Sequence, residues 1–163
     1  MPIWPSRAKA LSGTRLRRWL AHRRAQHQRI VFTNGCFDLL HGGHVQYLER
    51  ARTLGDCLLI GVNSDRSVRR LKGPGRPLQA AHDRARILAA LACVDAVTIF
   101  DAPTPAPLIR LVRPHVLVKG GDWPLRQIVG AAFVRSYGGR VVRAPLLRGR
   151  STSRLIARLR AHA

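Results

Sequence analysis

Two histidines separated by two glycines are the strongest chemical signal in this sequence. His41 and His44 lie in the segment TNGCFDLLHGGH at residues 33–44. At the start of a helix, residues three apart share one face, and the glycines let a phosphate chain approach the backbone. The free amides and partial positive charge of a helix N-terminus favour an anion there. The pattern predicts a phosphate cradle whose histidines donate hydrogen bonds to phosphoryl oxygens. A metal site or two surface histidines are the alternatives when the pair is taken alone.

Lysine is rare in this chain, which has 29 lysine and arginine residues but only three lysines, Lys9, Lys72 and Lys119. Where arginine is the default cation, a lysine indicates that a compact ammonium is needed. Lys72 begins the loop segment KGPGRP, and Lys119 begins KGGDW, whose glycines allow a close approach of the backbone to a ligand. The alternatives are a solvated loop lysine for Lys72 and an ordinary turn for KGGDW. Trp123 is either a pocket wall or simple packing.

Strand and helix patterns alternate along the chain. This alternation predicts a parallel, doubly wound sheet of the Rossmann-like α/β class. The sheet is expected in a single domain, residues 29–163, which follows a basic helical extension, residues 1–28. The extension is predicted as one helix, 6–28, an appendage with Leu11, Leu16, Trp19 and Leu20 available for one face. The predicted strands are 30–33, 57–63, 96–100, 115–118 and 140–144, and the predicted helices are a segment from HGGH to about 54, then 82–92, 105–112, 124–137 and 151–161.

The polar motifs follow predicted strands directly. In a doubly wound sheet, ligands bind outside the carboxyl ends of the strands, near the point where the strand order reverses. Residues 33–35, 63–65 and 119–122 each come immediately after a strand. We therefore expect them to gather at one edge of the sheet and to form the binding site.

The composition limits the classes of function. The formal charge of +21 suggests an anionic partner, but the arginines are scattered and no nucleic-acid-binding motif is present, so a basic nucleic-acid-binding module is only an alternative. No apolar run reaches the roughly 18 residues of a membrane span, and no export signal is recognisable. The widely spaced Cys36, Cys57 and Cys93 favour reduced, buried thiols. We expect a soluble, cytoplasmic protein that binds neither nucleic acid nor membrane.

The motifs together resemble the HxGH nucleotidyltransferase superfamily, the cytidylyltransferase-like group, over roughly residues 29–160. The similar segments are TNGCFDLLHGGHVQYLERAR, VNSDRSVRRLKG with the following RP, VKGGDW and the late STS. Their combination is most similar to the heptose 1-phosphate adenylyltransferase branch. The resemblance implies transfer of AMP from ATP to D-glycero-β-D-manno-heptose 1-phosphate, with release of pyrophosphate, for lipopolysaccharide core synthesis. A cytidylyltransferase acting on glycerol 3-phosphate or a similar small alcohol phosphate is the alternative enzyme.

The resemblance also implies roles for particular residues. His41 and His44 would contact the nucleotide phosphates, Lys72 the acceptor or α-phosphate, and Arg84 the triphosphate. Asp38 is interpreted as a loop anchor, and Mg²⁺ is expected to arrive with ATP and to be held mainly by phosphate and water, with no protein ligand named. The expected nucleotide-binding set is Thr33, Asn34, Gly35, Phe37, Gly43, His44, Lys119, Gly120, Gly121, Asp122, Ser151 and Thr152.

Three further expectations concern the ends of the chain and its partners. Relatives have an acidic residue and a glycine before the late serine, whereas this chain has Arg148, Gly149 and Arg150, which puts contacts from that loop in doubt and could supply extra cations. Ser151 could equally be a simple helix N-cap. Relatives often carry a fused sugar kinase, and 163 residues leave no room for one, so a separate kinase is expected to supply the heptose 1-phosphate. A homodimer is expected by resemblance only.

Overall fold

The computed structural model describes residues 5–121 and 124–144. They form one sheet of five parallel strands with helices on both faces, which confirms the predicted Rossmann-like α/β class. The strands are β1 (Ile30–Gly35), β2 (Cys57–Asn63), β3 (Ala96–Phe100), β4 (Val116–Gly120) and β5 (Arg140–Ala144). The helices are α1 (Pro5–Lys9), α2 (Gly13–Ala25), α3 (Gly42–Arg52), α4 (Asp65–Lys72), α5 (Ala81–Ala90), α6 (Ala106–Val112) and α7 (Ala131–Ser136), with a short 3-10 turn at Leu125–Gln127.

The strand order places a topological switch point beside the central strand. The order is β3-β2-β1-β4-β5, so the chain moves outward from β1 to β3 and then crosses back to β4 on the other side of β1. β1 pairs with β2 from Ile30 to Gly35 and with β4 at Val31 and Phe32. The carboxyl ends of β1 and β4 therefore flank the crevice in which doubly wound folds bind ligands.

Alternate residues of the strands build a core on each face of the sheet. Ile30 and Phe32 belong to one cluster, which includes residues of α2, α6 and α7. Val31 belongs to the other cluster, which includes residues of α3 and α5. Every residue of β2 is buried, as its continuous apolar sequence predicted for a strand covered on both faces.

The N-terminal segment differs from the single helical appendage that the sequence predicted. It forms two helices, α1 and α2, because the residues between them are extended along the edge strand β3. Ala10 makes a parallel bridge to Val97, and the Leu11 amide donates to the Val97 carbonyl at 2.8 Å. Leu11, Leu16 and Leu20 are buried in the same core cluster as β1. Leu16 and Leu20 thus lie on the predicted apolar face of α2, whereas Leu11 is buried from the extended link between the two helices.

Two other segments correct the sequence prediction. The segment after β2 forms a helix, α4, that the glycine and proline signals of the following loop obscured. The helix predicted over residues 124–137 is divided into the 3-10 turn and α7 by Gly130, which has a φ of +85°. A Cβ at Gly130 would lie 2.7 Å from Cδ1 of Ile109, so close packing requires glycine there. The predicted helix over 151–161 lies outside the described residues.

No helix in the described part of the chain is long and apolar enough to cross a membrane.

Candidate active site

The carboxyl ends of β1 and β4 are joined directly by a lysine. Lys119 Nζ donates to the carbonyl oxygen of Asn34 at 3.3 Å. Burial lowers the pKa of Lys119, and the positive charge of Lys72 lowers it further, while Cys36 opposes the shift. An ammonium that is partly desolvated in this way gains most from an anion placed beside it. The structure therefore brings together Asn34, Lys119 and the end of β4, as the sequence predicted.

The two histidines stand side by side at the beginning of α3. His41 is the N-cap, and its Nδ1 accepts a hydrogen bond from the amide of Gly43 at 3.2 Å. The centroids of the His41 and His44 rings are 4.0 Å apart. The edge of Phe37 closes the other side of His44, with ring centroids 5.5 Å apart. The expected sharing of one helix face by the two histidines is confirmed, and the pair lies where the helix presents its free amides.

The environment of His44 shifts the pKa of its imidazole. Its Nδ1 is buried and has no hydrogen-bond partner within the described residues. Burial and then the neighbouring His41 lower the pKa of His44 to about 4. The imidazole is therefore neutral at pH 7, and a buried ring nitrogen without a partner is costly unless a ligand or water satisfies it.

Asp38 anchors the loop between β1 and α3. Its carboxylate, 2% exposed, accepts hydrogen bonds from the amides of Leu78 and Gln79 at 2.8 and 3.0 Å. It also pairs with Nε of Arg76 at 2.6 Å. These contacts join the loop before the histidines to the loop after α4, in agreement with the anchoring role interpreted from the sequence.

Arg84 anchors the same loop from the opposite side. Its guanidinium donates to the carbonyls of Gln79 at 2.9 Å and Cys36 at 2.5 Å, and to the carboxylate of Asp65 at 2.7 Å. The residue is 0% exposed, and each of its side-chain nitrogens already has a partner. The guanidinium holds the loop and Asp65 in place, and the contact with a triphosphate that the resemblance implies for Arg84 stays a prediction.

Thr33 lies below the surface of the site. Its hydroxyl is 2.7 Å from the Tyr47 hydroxyl, and both residues are buried. Burial raises the pKa of Tyr47 to about 12, against hydrogen bonds to Thr33 and to the backbone of Gly120. Tyr47 thus connects α3 to β1 and β4, and Thr33 supports the site from within rather than lining it. Sequence reasoning missed Tyr47, although its position three residues after His44 on the same helix was a usable signal.

Lys72 is exposed at the C-terminal end of α4. Its charge nevertheless acts on both Cys36 and Lys119. Burial raises the pKa of the Cys36 thiol, and Lys72, Arg84 and Lys119 oppose that rise. The positive charges of Lys72, Arg84 and Lys119 therefore all act on Cys36, in the loop that follows β1.

The glycines of the predicted nucleotide-binding set lie in different local environments. A Cβ at Gly35 would lie 3.0 Å from the ring of Phe37, which itself has a φ of +48°. Gly43 is buried in the first turn of α3, and Gly121 has a φ of +95° directly after β4. Glycine is thus favoured at position 121 by its backbone conformation and at position 35 by the close ring of Phe37. Asp122, Ser151 and Thr152 lie outside the described residues.

The carboxylates near the site are occupied by protein groups. Asp38 is held by Arg76 and two amides, and Asp65 by Arg84. Across residues 5–121 and 124–144, no three His, Cys, Asp or Glu side chains cluster as metal ligands would. The donor set therefore does not fit a metal ion held by these side chains.

The same fold and site segments recur in known proteins. The cytidylyltransferase-like family profile matches residues 32–141, which include the last four residues of β1, the histidine pair and β4. The chain belongs to the cytidylyltransferase-like family. This membership confirms the predicted nucleotidyltransferase superfamily.

The related sequences are bifunctional proteins much longer than this chain. It is 56% identical over 144 residues to "Bifunctional protein HldE" of Syntrophotalea carbinolica, covering 88% of this chain and 29% of that protein. It is 58% identical over 133 residues to the protein of the same name from Geotalea uraniireducens, covering 82% and 27%. The match to that of Koribacter versatilis is 52% over 151 residues, covering 93% and 31%. The chain thus spans less than a third of the length of these relatives.

Two solved structures share the fold. The lipopolysaccharide core biosynthesis protein of Thermoplasma volcanium superposes with a TM-score of 0.61 and 24% identity, over 74% of this chain and 97% of that one. Pantoate-beta-alanine ligase of Francisella tularensis superposes with a TM-score of 0.59 and 14% identity, over 88% and 68%. At these identities the likeness concerns the fold alone.

Proposed function

We propose that this domain transfers AMP from MgATP to D-glycero-β-D-manno-heptose 1-phosphate, giving ADP-heptose and pyrophosphate. The observation that carries the proposal is the stacked pair of His41 and His44 at the N-terminus of α3, beside the switch point, with a buried and partnerless Nδ1 on His44. The heptose acceptor is supported by the 52–58% identity to the HldE proteins and by the segments VNSD, LKG with RP, and VKGGD.

The chemistry requires little more than the positioning of anions. A phosphate oxygen of the acceptor attacks the α-phosphorus of ATP, the bond from that phosphorus to the bridging oxygen breaks, and pyrophosphate leaves. The acceptor is already an anionic nucleophile, so no general base is needed to deprotonate it. The chain must align two anions and offset their repulsion.

The histidines and lysines of the crevice offset the repulsion between the acceptor phosphate and the triphosphate. The imidazoles of His41 and His44 donate hydrogen bonds to oxygens of the triphosphate, on which charge increases as pyrophosphate departs. Lys119, partly desolvated at the end of β4, binds the nucleotide phosphates, and Lys72, exposed at the end of α4, reaches the acceptor or the α-phosphate. The backbone of Asn34, Gly35, Gly43, Gly120 and Gly121 lines the nucleotide path, and Phe37 closes it against His44.

Several buried residues do not contact the substrates but hold the contacting groups in position. Arg84 and Asp38 are positioning residues, because they fix the loop that carries Cys36 and Phe37 and do not themselves face the crevice. Thr33 acts in the same way through Tyr47. Asp122, Ser151 and Thr152 complete the nucleotide site in this proposal, by the sequence resemblance alone.

The magnesium ion belongs to the substrate in this account. The two nearby carboxylates are already bonded to arginines, so phosphate oxygens and water would coordinate Mg²⁺. The separate sugar kinase, the homodimer and the cytoplasmic location stay predictions.

The substrate assignment is tested by measuring pyrophosphate release for four substrate pairs. Purified protein with Mg²⁺ is given ATP or CTP together with heptose 1-phosphate or glycerol 3-phosphate. Release with ATP and heptose 1-phosphate alone, lost in His44→Ala, is the expected result. Release that depends on CTP would overturn the adenylyltransferase assignment in favour of the cytidylyltransferase. Absence of release with every pair, with salt-sensitive nucleic-acid binding that survives the loss of both histidines, would favour the basic binding module.

A further inference from the structure

A second cationic cavity lies away from the crevice, between the N-terminal helices and α5. It has a volume of about 270 Å³, and its lining includes Arg7 from α1, Arg15 from α2 and Arg86 from α5, together with His82 of α5. Ser6 adds a hydroxyl group. None of these residues belongs to the site described above, and the cations converge from three separate helices. The cavity is open to solvent on one side, since all four basic residues that line it are exposed.

The charge of this cavity is not balanced by carboxylates. Among the described residues, Arg7, Arg15 and Arg86 form no ion pair, and the guanidinium of Arg15 makes one long hydrogen bond, 3.5 Å, to the carbonyl of Ala8. Of the eight acidic residues in the chain, Asp122 alone lies outside the described part, and residues 145–163 contain none. Asp83 is adjacent in sequence to His82 but does not line the cavity. The three guanidinium groups therefore have no carboxylate partner among the described residues, and a bound anion would supply one.

The remaining lining favours a small ligand over a polymer. The apolar lining consists of Ala10, Ala85 and Ile99, of which Ala85 is buried, whereas the three arginines of the cavity are exposed. The volume of the whole cavity is slightly below the roughly 300–1,000 Å³ of pockets for drug-sized ligands. His82 also lies in the first turn of α5, where the helix dipole favours negative charge.

We propose that the cavity formed by Arg7, Arg15, His82 and Arg86 binds a small phosphate monoester. Guanidinium groups match the oxygens of a phosphate with paired, charge-assisted hydrogen bonds. A dianionic phosphoryl group would face three arginines and the hydroxyl of Ser6, and a short carbon chain would contact Ile99. Inorganic phosphate and a phosphosugar share this chemistry.

The test is a phosphate titration of the ¹⁵N-labelled full chain followed by NMR, at constant ionic strength maintained with chloride. The probes are inorganic phosphate, glycerol 3-phosphate and glucose 6-phosphate in separate titrations. Saturable shifts of the amides of Ser6 to Ala10 and of His82 to Arg86 are expected. Tighter binding of either ester than of inorganic phosphate would identify the organic ester as the ligand, and equal binding would identify the phosphoryl group alone.

Matched variants separate this cavity from the general positive charge. Arg15→Gln with Arg86→Gln removes two cavity cations, whereas Arg17→Gln with Arg18→Gln removes two exposed charges from α2 outside the cavity. The first pair is expected to weaken binding at these amides by about tenfold or more, because two charge-assisted contacts are lost, and the second pair to leave it unchanged. Linear, non-saturating shifts, or equal weakening by both pairs, would overturn the proposal, as would shifts at these amides only with anionic vesicles.

Discussion

The arginines beneath the active-site loop and those on the surface of α2 have the same charge but different surroundings. Arg84 and Arg76 each bind a carboxylate, and the side chains of these arginines are 0% and 20% exposed. Arg17 and Arg18 are exposed and form no ion pair within the described residues. Net charge alone therefore says little about the site, because Arg84 and Arg76 are held in place by carboxylates whereas Arg17 and Arg18 are not.

The energetic consequence follows from desolvation. Removing one member of a buried ion pair leaves an uncompensated charge and unsatisfied carbonyls, whereas an exposed arginine stays solvated in both states. The loop before α3 should therefore depend on individual buried contacts, and the surface of α2 should tolerate substitution.

Replacing Arg84 should have the largest effect. Arg84→Met leaves the carbonyls of Cys36 and Gln79 without their donor and removes the ion pair of the partly exposed Asp65, so we expect the free energy of unfolding to fall by about 2–4 kcal/mol, mainly from the two carbonyls. Denaturant unfolding measures the change. Arg17→Met is the control, and an equal loss in both variants would remove the distinction between the two groups of arginines.

Neutralising Asp38 should have a smaller but clear effect. Asp38→Asn keeps the shape of the side chain but removes its charge from Arg76 and weakens the bonds from two amides, which should cost about 2 kcal/mol of stability. Loosening the loop should also raise KM for ATP more than it lowers kcat for the chemical step. Asp83→Asn, an exposed position on α5, is the control. Unchanged stability and KM in Asp38→Asn would contradict the anchoring role.

His44 should make stability depend on pH below neutrality. Its pKa is about 4 in the folded protein against 6.5 in the unfolded chain, so the unfolded chain binds more protons between those values and stability falls as pH drops from 6.5 towards 4. We expect the parent to lose about 1 kcal/mol more than His44→Gln between pH 7 and pH 5. Unfolding titrations at both pH values measure this difference. Identical pH dependence in the two proteins would mean that His44 is not desolvated.

The surface arginines of α2 should give the smallest effect. Arg17→Gln with Arg18→Gln should change the free energy of unfolding by less than about 0.5 kcal/mol, as expected for exposed positions without partners. Thermal and denaturant unfolding are the measurements. A loss comparable to that of Asp38→Asn would show that this surface is structurally important.

The positions of the strands and the histidine pair could be predicted because local rules govern them. Residues 57–63 and 96–100 are strands as predicted. A short, continuous apolar run is typical of a strand that helices cover on both faces of a parallel sheet. His41 and His44 share a face because helical spacing requires it. In contrast, the burial of Leu11 depends on the path of residues 10 and 11 along β3, which no local pattern reports.

The roles of Arg84 and Thr33 could not be obtained from residue type. An arginine and a threonine in a nucleotide-binding motif suggest direct contacts with phosphate, but the fold places the Arg84 guanidinium against Asp65 and the Thr33 hydroxyl against Tyr47. These partners are 19 and 14 residues away along the chain, and only tertiary packing brings them together. The structure therefore adds the buried partners of Arg84 and Thr33, which residue type alone does not reveal.

The most direct test of the central claim is the turnover number for ADP-heptose formation in three proteins: the parent, His44→Ala, and Arg17→Gln with Arg18→Gln. The account predicts a loss of about 10²–10³-fold in His44→Ala, as for removal of a hydrogen-bond donor to developing charge, and parental turnover in the arginine variant. Parental turnover in His44→Ala, with loss in the arginine variant, would contradict it and would move phosphate binding from the crevice to the surface of α2.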